Sequence, residues 1–97
     1  MSEYTTGTRG YEISLPEPYY FNRAFPLEVT HSASSGWLVE CIPFDEYGAG
    51  TTFDEAIKDL GESIVELYKL SKKRKDKGSK LGQPLEDLIV LFEASTK

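Results

Sequence analysis

The chain has 97 residues, 39% of them apolar and 28% charged, with a formal net charge of −5. That length suits one domain with one two-layer core, and the composition excludes a chain disordered throughout. No apolar run reaches the roughly 20 residues of a membrane-spanning helix, and the N-terminus lacks the basic-then-apolar order of a signal peptide, so a cytoplasmic location without membrane contact is the expectation.

Residues 1–10 (MSEYTTGTRG) are small and polar, and they read as a flexible leader ahead of a single domain spanning 11–97. Tyr11, Ile13 and Leu15 alternate, which predicts a short strand closed by Pro16 and Pro18. This segment either adds an edge strand or forms an arm that crosses to another subunit. The cluster Tyr19-Tyr20-Phe21, with Phe25 behind it, brings much buriable area without a regular period. Leu27, Val29 and His31 then alternate with polar residues, and Ser32-Ala33-Ser34-Ser35-Gly36 leads into the run Trp37 to Ile42, a β-hairpin pattern. In that second run both faces are largely apolar, so the strand is either central in its sheet or covered on its second face as well. Pro43 closes it, and Asp45 to Gly50 leaves room for a brief strand around Tyr47 to Thr51.

Thr52 followed by Glu55 is a capping box, with Asp54 favourable beside the positive end of the helix it opens. Ala56, Ile57, Leu60, Ile64, Leu67 and Tyr68 form the apolar stripe of that helix, which runs out into Lys72 to Lys77 with Gly78 as its C-cap. Gly61 beside the stripe points to close approach of the helix backbone to a strand. Pro84 opens a second, shorter helix over 84–94 with Leu85, Leu88, Ile89 and Phe92 inward. The order of elements makes the chain α+β.

Few residues carry chemistry. The single His31 reads as a half-buried structural residue, and the single Cys41 as a small core hydrophobe that cannot form an internal disulfide, which fits a reducing compartment. One Cys and one His do not supply a zinc site, and no other cofactor is indicated. Asp54 and Glu55 are adjacent carboxylates, but capping explains both, so the chain is not expected to be an enzyme. Gly48-Ala49-Gly50 lacks the rest of a phosphate loop and lies among Asp45, Glu46, Asp54 and Glu55.

Charge is the informative property. Residues 1–71 carry twelve acids against four bases, while Lys72, Lys73, Arg74, Lys75, Lys77 and Lys80 fall within nine residues. An acidic body attracts a basic partner at long range. The basic run reads first as a solvated helix end, and second as a set of candidate nucleic-acid contacts.

Gly36-Trp37-Leu38-Val39-Glu40-Cys41-Ile42-Pro43, followed by Gly50-Thr51-Thr52-Phe53-Asp54-Glu55-Ala56-Ile57, resembles the HicB-like antitoxin family over roughly residues 26–71. The family typically shows a Gly-aromatic strand ending in Pro, a short loop, then Gly-x-Thr-x-x-Glu-Ala opening a long helix. Phe44-Asp45-Glu46-Tyr47-Gly48 stands where it usually has Leu-Pro-Gly. The resemblance implies a three-stranded antiparallel sheet, with an optional extra N-terminal strand, packed against one long helix and a short C-terminal helix, a partial RNase H-like arrangement. It implies assembly as a homodimer or higher oligomer, and neutralisation of a small basic HicA-like toxin that cleaves mRNA. Full antitoxins add a DNA-binding domain, and residues 78–97 offer only a short acidic helix, so operator binding is expected to be absent or altered.

The resulting expectation is an antitoxin-like binding module whose partner meets Asp45, Glu46, Tyr47, Asp54, Asp59, Glu62 and Glu66. The alternative is a stand-alone homo-oligomeric regulator that binds nucleic acid through 72–80.

Overall fold

The computed structural model describes residues 5–13, 15–19 and 24–95. Four antiparallel strands, β1 (Thr5–Glu12), β2 (Ala24–Ser32), β3 (Gly36–Cys41) and β4 (Glu46–Gly50), lie in sequence order in one sheet. A 3₁₀ turn at Ile42–Phe44 joins β3 to β4, and the helices α1 (Phe53–Asp76) and α2 (Gln83–Ser95) follow. The architecture is the expected α+β one, with the extra N-terminal strand present.

That strand is the main correction to the sequence reading. It begins at Thr5, inside the segment assigned to a flexible leader, and pairs along its whole length with β2, from Thr5 opposite His31 to Glu12 opposite Ala24. The threonines that made the segment look loose also favour extended backbone, and β2 supplies the ladder partners that period-two patterning cannot reveal. Ile13 lies just past the strand and is buried, and Leu15 packs against the core from the following loop. Of the aromatic cluster, Tyr19 stands edge-on to Tyr68 and Phe92, whereas Tyr20 and Phe21 lie outside the described residues.

β2 and β3 form the expected hairpin, with Ser32 opposite Gly36, whose φ of 87° only glycine adopts freely. Leu27, Val39 and Cys41 are fully buried on one face of the sheet, beneath Ala56, Leu60 and Ile64 of α1. β3 is interior to the sheet, the first of the two readings of its double-sided apolar pattern, and among the described residues nothing covers its second face: Leu38 is 41% and Tyr47, on the neighbouring β4, 61% exposed.

The start of α1 crosses β4 at its glycines. A Cβ on Gly48 would collide with the Ala56 carbonyl oxygen and the Leu60 nitrogen, and one on Gly50 would lie 2.8 Å from the Ala56 nitrogen. The close helix–strand approach therefore rests on β4, while Gly61 is buried on the helix itself. Thr52 caps α1 by accepting from the Glu55 N–H at 3.1 Å. The Glu55 carboxylate reaches past the cap, accepting from the Thr51 N–H and Oγ1, so the capping box closes one residue early. At the other end Gly78 (φ 88°) donates to the Lys75 carbonyl and Ser79 to the Arg74 carbonyl, a Schellman closure. α2 docks through Leu88, Ile89 and Phe92, all buried, with the Phe92 ring stacked on Tyr68 at 4.3 Å. No helix among the described residues is long and apolar enough to cross a membrane.

Candidate functional site

Beside the crossing of α1 and β4 lies an open groove of about 770 Å³. Three of its carboxylates, Asp59, Glu62 and Glu66, come from α1 at spacings of three and four residues, which places them along one helix side. Glu46 enters from the first position of β4, and Glu17 from the loop after β1. The close packing at Gly48 and Gly50 brings the helix and strand contributions together, since wider spacing would carry the α1 acids away from Glu46. Asp59 also fixes the strand edge, where its Oδ2 accepts from the Ala49 N–H at 3.0 Å.

Against these five carboxylates stands, among the described residues, one cation on the groove wall, Lys69, whose Nζ lies 6.0 Å from the centre of the Tyr19 ring. Tyr19, Val65 and Leu70 give the groove an apolar component, and Leu70 is 49% exposed. Partial burial, with Asp45 as a like-charged neighbour, raises the Glu46 carboxyl above its ordinary pKa. Among the described residues no three Cys, His, Asp or Glu side chains converge as metal ligands would. The acids thus act as a distributed field that attracts cationic groups.

Of the residues expected to meet a partner, the structure brings Glu46, Asp59, Glu62 and Glu66 to this groove. It separates the other three. Asp45 occupies a left-handed turn position (φ 54°) after the 3₁₀ turn, and Asp54 sits exposed in the first turn of α1, where it complements the helix end. Tyr47 alternates with Glu46 on β4 and therefore points to the opposite face of the sheet. Glu17 and Lys69 belong to the groove but were not singled out from the sequence. Lys69 follows Glu62 and Glu66 at helical spacing on the polar side of α1, whereas no local pattern marks Glu17, which loop placement brings across.

The basic run divides in the same way. Lys72 pairs with Glu93 at 2.9 Å and Lys75 with Glu86 at 2.8 Å, so two of its six cations fasten α2 to α1. Lys73, Arg74, Lys77 and Lys80 are exposed and make no ion pair among the described residues. The candidate nucleic-acid patch is correspondingly smaller than the sequence count. Cys41 is buried, and burial pushes its thiol pKa up to about 11, so it is held as the unreactive thiol. His31 is half-buried and stacked on Trp37 at 4.2 Å, a packing role. Glu55 is engaged by Thr51, which accounts for it without catalysis.

Comparison with protein-family models, with curated proteins and with solved structures gave no match for this chain.

Proposed function

We infer that this chain is an antitoxin-like binding module that receives a small basic protein in the groove between β4 and α1. The observation that carries this reading is the groove's composition among the described residues, five carboxylates against one lysine with apolar wall between them. Such a surface steers a cationic partner in from solution and gives its aliphatic stems something to pack on. The HicB-like motifs make the expected partner a HicA-like mRNA-cleaving toxin, and assembly into dimers or larger species belongs to the same reading. Covering the toxin's RNA surface would inhibit it without any catalysis by this chain.

The test is capture of the tagged chain from its native host at low salt, read by intact mass. A stoichiometric basic partner smaller than about 100 residues, the size of a single domain, is expected, with RNA-cleaving activity that added chain suppresses. Recovery of this chain alone, as an oligomer, would instead favour the regulator that binds nucleic acid. For that second reading Lys73, Arg74, Lys77 and Lys80 remain exposed, and four phosphate contacts would limit the salt slope on duplex DNA to about −3.6.

A further inference from the structure

The face of the sheet opposite α1, left open among the described residues, has a composition that solvent alone does not explain. Outward positions of a one-sided antiparallel sheet are ordinarily polar, yet Leu38 on β3 is 41% exposed, Tyr47 on β4 61% and Ile42, just past β3, 55%. Among them the register sets Glu28 directly opposite Glu40, and Glu40 opposite Tyr47, while Leu38 lies between Thr30 and Ala49. Like charges facing each other across adjacent strands are destabilising. β2, β3 and β4 contain no lysine or arginine to offset them.

We propose that this face is a docking surface for a basic amphipathic α-helix of a partner protein, with Leu38 and Tyr47 receiving its apolar stripe and Glu28 and Glu40 its cations. Charge decides the occupant. A second copy laid face to face would gather four carboxylates in one interface, whereas a helix with Lys or Arg beside its apolar stripe relieves the repulsion already present between two. Geometry agrees with a helix: four strands make a face about 19 Å wide, ample for one helix of about 10 Å diameter. Crossing the six residues of β3, about 20 Å, takes about 13 helical residues. The surface lies on the opposite side of the sheet from the acidic groove, so it stands or falls independently of the function proposed for that groove.

The probe is a synthetic helical peptide of about 18 residues with leucines at i, i+3, i+4 and i+7 and lysines elsewhere. Amide chemical shifts of the full chain should move at Thr30, Leu38, Glu40, Tyr47 and Ala49. Affinity should fall at least about tenfold in Leu38→Ser and in Glu40→Lys, and stay within about twofold of wild type in a Glu62→Gln/Glu66→Gln variant of the groove. Loss of fold cannot mimic this result, because Glu40→Lys replaces a like-charge pair by an opposite one and should leave the melting temperature of the free chain equal or higher. Absence of binding, shifts confined to 59–66, or undiminished affinity in both face variants would overturn the proposal.

Discussion

Two glutamates show how placement turns one side chain to opposite ends. Glu55 accepts from the Thr51 hydroxyl and then from its N–H, and these bonds hold its carboxyl below the ordinary carboxylate range. A lowered folded pKa means a contribution that is complete above the unfolded value, about 4.3, and lost as pH falls through the folded one. Glu55→Gln should therefore lower the melting temperature at neutral pH, and the gap to wild type should close in strong acid. Glu46 is shifted the other way, by burial first and by Asp45 second. Its neutral form is favoured in the folded chain, so a penalty absent in acid develops as pH rises through the ordinary carboxylate range. Glu46→Gln should stabilise the free chain at neutral pH and change nothing in strong acid. Thermal melts across pH check both signs.

At the scale of elements, the long helix was legible because each of its signals is local: Thr52 at the start, an apolar stripe at helical spacing and Gly78 at the end. The second helix was legible for the same reason, through Pro84 and the spacing of Leu88, Ile89 and Phe92. β1 was legible only at its end, from Tyr11, because Thr5 to Gly10 becomes a strand only through its non-local ladder with β2. Close approach between helix and strand was legible from Gly61, which is buried on α1, but the part played by β4 was not, since only the fold shows that Gly48 lies under Ala56 and Leu60. Gly48→Ala should accordingly lower stability by about 3 kcal/mol, as overpacking against backbone does, measured by denaturant unfolding. Gly78→Ala meets open space, and its φ of 88° alone should make it destabilising by about 1 kcal/mol. Phe92→Ala should act on one element first. A 13-residue helix has little stability alone, and removing the ring that stacks on Tyr68 and meets Tyr19 should raise amide exchange along α2 before the sheet is affected.

Across the whole molecule, charge is arranged by surface. The α1–β4 groove gathers carboxylates, the tip of α1 gathers cations, and α2 is fastened to that tip by Lys72–Glu93 and Lys75–Glu86. The sequence displayed the acidic body and the basic run as totals, and four of the seven residues it nominated for a partner do meet in the groove. It could not show which face of β4 α1 covers, and hence that Tyr47 lies on the other one, or that two of the six cations pair with α2, because both depend on how α1, α2 and β4 pack. If the groove's field holds a basic partner, affinity for the captured partner must vary with salt. Wild type should bind tightly at low salt and weaken steeply as salt rises, and Glu46→Lys/Glu62→Lys/Glu66→Lys should lose at least about 100-fold and most of that salt dependence. An affinity and salt slope unchanged by the triple reversal would mean that the groove does not hold the partner.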